Sequence, residues 1–158
     1  MPQLTVQAIE TYIVQSELKI GRRPSVVLVD YIGLLRGVGS RYERLSDVAE
    51  ELKVIAKKTR TIVFLASQIH RKPEDADAEI FIHDAKDSGA IENSSQVVIG
   101  VWRTGIDGET MMVKVLKYTR GRCGKKVECN FNGQTLRITE RARINLQSEL
   151  NGMKMYQT

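Results

Sequence analysis

The chain is poor in the residues that build stapled or metal-held folds. It has two cysteines, Cys123 and Cys129, and two histidines among 158 residues, too few for any usual zinc spacing. Both thiols read as reduced small hydrophobes. Three prolines and twelve glycines exclude collagen-like and low-complexity chains. No apolar run approaches the roughly 18 residues of a membrane span, and the amino end has no basic and apolar leader. The expected location is therefore cytoplasmic, without a membrane partner.

What remains is the composition of one globular domain, with 42% hydrophobic and 27% charged residues. A chain of this length buries about two thirds of its unfolded surface, enough for a core of its own. The net charge of +5 is unevenly placed. Between Glu109 and Glu128 there is no acid, yet Lys114, Lys117, Arg120, Arg122, Lys125 and Lys126 fall there, and the rest of the chain is close to neutral. A patch of this kind suits polyanions such as nucleic acid or nucleotide phosphates. Lysines that keep an exposed sheet edge from pairing are the alternative.

Thr5 followed by Val6, Ile9, Ile13 and Leu18 predicts a helix over about 5–19. Ser25 to Asp30 is an apolar run too short for a helix, typical of a parallel strand buried on both faces. Ser40 and Glu43 form a capping box, and Leu45, Val48, Ala49, Leu52, Ile55 and Ala56 continue one helical face to about residue 58. A second buried strand over 61–66 completes a parallel crossover. Residues 70–87 read as a polar surface loop, 88–96 as a short helix and 97–103 as a third buried strand. A strand over 111–118 follows. Residues 127–131 and 134–138 then form a hairpin through Asn132-Gly133, with Cys129 opposite Leu136, Val127 opposite Ile138 and Glu128 opposite Arg137. The folded part is expected over 1–139 and a weakly structured tail over 140–158.

A carboxylate at a strand end, such as Asp30, is commonly just a turn former. Together, however, Asp30 and Ser67-Gln68 put a carboxylate and an amide at the carboxyl ends of parallel strands, where open α/β sheets bind ligands. The succession of the 26–35 strand and turn, Ala66 to Arg71, Asp84 to Glu92, and Lys117 to Arg120 before Phe131-Asn132-Gly133 resembles the carboxyl-terminal ATPase domain of DnaB-like replicative helicases.

That resemblance implies a RecA-like α/β fold, a parallel sheet flanked by helices with an antiparallel hairpin at the carboxyl end. It implies ATP and magnesium as cofactors, with Asp30 as the Walker B carboxylate acting on magnesium through water. Gln68 would be the sensor of the γ-phosphate, and Arg120 with Lys117 the finger and partner lysine that reach a neighbouring subunit's nucleotide. Lys86, Asp87 and Gly89 would hold the backbone of single-stranded DNA. Against the family's pattern, this chain has one extra residue between Lys117 and the hairpin turn, so Arg120 carries over better than Lys117.

The larger departure is the absence of Gly-x-x-x-x-Gly-Lys-Ser/Thr, so the phosphate cradle and its strand are missing. The chain is expected to start at the helix before the Walker B strand. Its partners are then single-stranded DNA, other helicase subunits or a P-loop-bearing chain, with a homo-oligomer possible. Without the P-loop strand, strands 61–66 and 97–103 are expected to close up and pair, or else to be bridged by another chain's strand. A noncatalytic accessory that binds single strands or docks on a helicase ring is the rival reading. A recombinase or clock-type ATPase is a third, against which the 84–92 stretch speaks.

Overall fold

The computed structural model describes residues 4–35, 39–69, 77–85, 88–104 and 108–141. Helix α1 (Val6–Ile20) starts where the Thr5 hydroxyl accepts from the Ala8 N–H at 3.2 Å, and it ends at Gly21, whose positive φ lets its N–H return to the Glu17 carbonyl. Val6, Ile9 and Ile13 are buried, but Leu18 is exposed. Leu18 stands five residues past Ile13, about 140° farther round the helix, so it leaves the apolar stripe.

Helix α2 (Arg41–Thr59) has the capping box that Ser40 and Glu43 predict. The Ser40 N–H donates to the Glu43 carboxylate at 2.9 Å, and the Glu43 N–H donates to the Ser40 hydroxyl at 3.4 Å. These bonds hold the Glu43 carboxyl below the usual carboxylate range. Leu45, Val48, Ala49, Leu52 and Ile55 line the buried face and meet the α1 side chains over Val29, Ile32 and Leu35.

Strands β1 (Val26–Val29) and β2 (Ile62–Leu65) pair in parallel, Val26 with Ile62 through Val29 with Leu65. Val27, Val29, Val63 and Leu65 face the helices. Their alternate neighbours point the other way and are open: Leu28 is 73% exposed, Ile62 60% and Phe64 51%. The expectation of strands buried on both faces therefore fails, because among the described residues helices cover one face of this sheet.

A separate antiparallel sheet runs β3 (Val97–Thr104), β4 (Thr110–Tyr118), β5 (Lys126–Asn132) and β6 (Arg137–Glu140), in that order. The expected closure of the 61–66 strand onto the 97–103 strand does not occur: β2 pairs with β1 and β3 with β4. All of β3 is zipped to β4, from Val97–Tyr118 to Thr104–Thr110. It also follows α3 (Ser88–Ser94), which packs on α2. Moving β3 to β2 would have to carry its whole sheet along and shift α3 on α2.

The hairpin also differs from its expected register. Phe131 pairs with Ile138 and Asn132 with Arg137, and residues 133–136 form the turn. Asn132 acts as a side-chain cap instead of a central turn residue, its Oδ1 accepting from the Gln134 and Thr135 N–H groups at 3.0 and 2.9 Å. Leu136 takes the left-handed position at φ 53° and stays exposed. The slip brings Arg141, not Arg137, to Glu128 as its salt-bridge partner. Of the expected tail, residues 142–158 lie outside the described residues.

The 70–87 stretch is only partly a surface loop. Residues 70–76 lie outside the described part, but Ile80 is buried and a short 3-10 turn spans Ile82–Asp84. No helix among the described residues is long and apolar enough to cross a membrane.

Candidate functional site

Parallel pairing brings the first two candidates to one edge. The Ala66 N–H donates to the Val29 carbonyl at 2.9 Å and the Ile32 N–H to the Ala66 carbonyl at 3.0 Å, so the chain turns out of β1 and β2 side by side. Asp30 and Gln68 are the exposed polar residues there. Their position at the carboxyl ends of parallel strands is where such sheets bind ligands.

One residue beyond Gln68, Ile69 forms an antiparallel bridge with Ala85, and the next residue is Lys86. A backbone link therefore joins the Gln68 edge to the loop of Lys86 and Asp87. Those two lie outside the described residues. Gly89 lies in α3, where a Cβ would sit 3.2 Å from the Tyr42 hydroxyl. Glycine there lets α3 approach the first turn of α2, a packing reason beside the phosphate-approach reason that the sequence suggests.

Arg120 sits exposed in the turn between β4 and β5, with Arg122 and Lys125 exposed beside it. No hydrogen bond or ion pair joins it to Asp30 or Gln68 among the described residues. Lys117 points elsewhere. Val98 pairs with Lys117 but Ile99 pairs with Val115, so Leu116 is the extra residue of a bulge that turns Lys117 onto the opposite face. Its ammonium donates to the Glu92 carbonyl in the last turn of α3, and Lys53 reaches the Asn93 carbonyl at 3.4 Å. Both cations suit the negative end of a helix.

Sequence reasoning missed Glu79. Its carboxylate bridges Lys114 on β4 and Lys126 on β5, the latter at 2.9 Å. The bond from Lys114, then that from Lys126, holds the Glu79 carboxyl below the usual range. An isolated acid in a charged loop carries no periodic signal that could have marked it.

Residues 1–140 match the family described as the DnaB-like helicase C terminal domain. The chain belongs to this family. It is 32% identical over 106 residues to the replicative DNA helicase DnaB of Rickettsia bellii (strain RML369-C), covering 65% of this chain and 21% of that protein. With the DnaB of Leifsonia xyli subsp. xyli (strain CTCB07) the identity is 29% over 154 residues, 90% of this chain and 33% of the relative. The chain thus spans about a fifth to a third of these relatives.

Among solved structures, a DnaB-like replicative helicase, solved in a study of its interactions with primase, superposes with a TM-score of 0.76 at 22% identity, over 87% of this chain and 36% of that one. A second solved structure, itself an isolated ATPase domain, also gives 0.76, at 21% identity, over 87% of this chain and 52% of that one. These likenesses establish the RecA-like α/β fold of DnaB-like ATPase domains.

Proposed function

We propose that this chain supplies the Walker B, sensor and finger half of a DnaB-like ring helicase, working with a P-loop-bearing segment to couple ATP hydrolysis to movement on single-stranded DNA. The observation that carries the reading is the Ile69–Ala85 bridge, which lies between the Gln68 edge and the Lys86 loop. A change at the γ-phosphate sensed by Gln68 has a one-residue path to a group that would hold DNA.

The residues fit the nucleotide's magnesium in part. Asp30 is an exposed carboxylate without a hydrogen-bond partner among the described residues, suited to hold water on a magnesium ion. When bound, that ion neutralises charge on the β- and γ-phosphates. Gln68 has an amide that both donates and accepts, and Arg120 is placed outward to meet charge on a neighbour's nucleotide. The phosphate cradle has no counterpart in the sequence, so it must come from another segment. The edges of β2 and β3 left unpaired among the described residues and the open apolar faces of Leu28, Phe64 and Ile99 support docking of such a segment. Strands apolar on both faces are ones that functional folds cover on both faces.

The test mixes purified chain with a P-loop-bearing segment of a DnaB-like helicase and follows phosphate release with oligo-dT. Hydrolysis is expected only in the mixture, with loss in Asp30→Asn or Arg120→Ala. Absence of both hydrolysis and association, with DNA binding indifferent to nucleotide, would establish the noncatalytic accessory role instead.

A further inference from the structure

Lys114 and Lys126 are register partners on adjacent antiparallel strands, directly opposite each other. Like charges in that position repel. Glu79 reaches in from outside the sheet and bonds both, one carboxylate oxygen to each ammonium. The Lys114 ammonium also lies 5.1 Å from the centre of the Phe81 ring, within cation–π range. The next residue along, Ile80, is buried on Gly100, where a Cβ would come within 2.6 Å of its Cδ1. Only a glycine in β3 leaves room for that side chain. The segment 79–85 is thus strapped across the sheet by Glu79 and Ile80 at one end and by the Ala85–Ile69 bridge at the other.

The two strands that Glu79 clamps are those joined by the Arg120 turn, and the strap that it anchors leads straight into Lys86. We infer that Glu79 is a positioning residue: it locks the strap over 79–85 to the β4–β5 hairpin that carries Arg120, so that strap and hairpin move as one body. The inference deepens the functional reading above and rests on it for the roles of Lys86 and Arg120. The lock itself stands on geometry alone. Salt screens it less than an ordinary surface pair, because the Lys114 side chain is only 16% exposed.

The test is amide exchange on the full chain. Glu79→Gln keeps the shape but removes the charge that holds both lysines. Exchange at Ile80, Ala85 and Ile69 is expected to rise about tenfold, while the α2 core around Leu52 keeps its protection. Glu79→Lys combined with Lys114→Glu returns a carboxylate between two ammonium groups, and this variant should recover most of the protection. Unchanged exchange at Ala85 and Ile69 in Glu79→Gln would overturn the lock, as would a swapped pair no better protected than that variant.

A second arm measures oligo-dT anisotropy. Lys86→Ala should weaken binding severalfold in the wild-type background and by less than about twofold beside Glu79→Gln, because a loosened strap no longer anchors the chain that leads into that lysine. Equal effects in both backgrounds would count against the lock. No effect of Lys86→Ala in either background would count against the DNA reading, and the exchange arm would still decide the lock.

Discussion

The open face of β1 and β2 yields the sharpest energetic prediction. Leu45 and Leu28 are the same side chain in opposite situations, one 2% exposed in the helix–sheet core and the other 73% exposed on the bare side of the sheet. Truncating a fully buried leucine to alanine costs about 2–5 kcal/mol, the lost transfer energy plus the cavity left behind. Only about a quarter of Leu28 is covered, and no cavity can form on an open surface. Leu28→Ala should therefore cost about 0.5–1 kcal/mol in the chain alone.

Urea unfolding followed by circular dichroism separates the two. With a denaturant slope of about 1–3 kcal/mol per molar, Leu45→Ala should move the midpoint by about 1–2 M and Leu28→Ala by about half a molar or less. Midpoints should not depend on protein concentration. If Leu28→Ala costs as much as Leu45→Ala, the face is covered in the chain alone and the one-sided core is wrong. Adding the P-loop-bearing segment should make the Leu28 substitution costly, since burial then extends to both sides.

Further outcomes follow from other elements. The chain alone should release phosphate from ATP negligibly, and turnover of about one per second abolished by Asp30→Asn would refute the need for a second segment. Oligo-dT affinity should fall steeply with salt, each neutralised phosphate releasing about 0.7 counterion, and a salt-indifferent affinity would remove the basic hairpin from the interface. Ser40→Ala should cost about 0.5–2 kcal/mol in urea unfolding through loss of the α2 cap. The Glu79 carboxyl is held below its ordinary value, so its stabilisation is complete above the unfolded glutamate value and is lost as pH falls through the lowered folded one. Strap protection at Ala85 followed by amide exchange down the acid range should show that loss, and strap protection unchanged across the range would argue against it.

Local chemistry was legible where it was sufficient. The capping box at Ser40 and Glu43 fixes the start of α2, and the periodicity from Leu45 to Ile55 picks its buried face. Asp30 and Gln68 were legible as an edge pair because apolar runs of this kind pair in parallel and so align their ends. Tertiary competition was not legible. Asn132-Gly133 has the strongest hairpin chemistry in the chain, yet the Asn132 side chain prefers two backbone N–H groups, and a four-residue turn results. The Leu116 bulge leaves no compositional trace, although it decides the face of Lys117. The apolar runs suggested burial on both faces, but among the described residues one face of β1 and β2 stays open, because an apolar strand does not say how many layers its own chain can pack on it.

The basic stretch between Glu109 and Glu128 suggests a polyanion partner in the sequence, and its cations do not act alike. Lys114 and Lys126 are spent on Glu79, and Lys117 on the end of α3. Arg120, Arg122 and Lys125 share the exposed turn beyond them. The division follows from strand geometry. Residues within β4 and β5 are fixed by register to face a neighbouring element, and each cation there meets a carboxylate or a helix carbonyl. Residues in the turn are exposed, with no covering element among the described residues, so their charge projects outward. The strand lysines guard no sheet edge, because β4 and β5 lie inside the order β3-β4-β5-β6; they hold the strap and α3 in place, and the turn is the exposed part of the run. Removing charge from the turn by Arg122→Gln should lower the salt slope of DNA binding without loosening the strap, whereas Lys114→Gln should loosen the strap first. If Arg122→Gln instead raised exchange at Ala85, the turn and the strap would not be separable in this way.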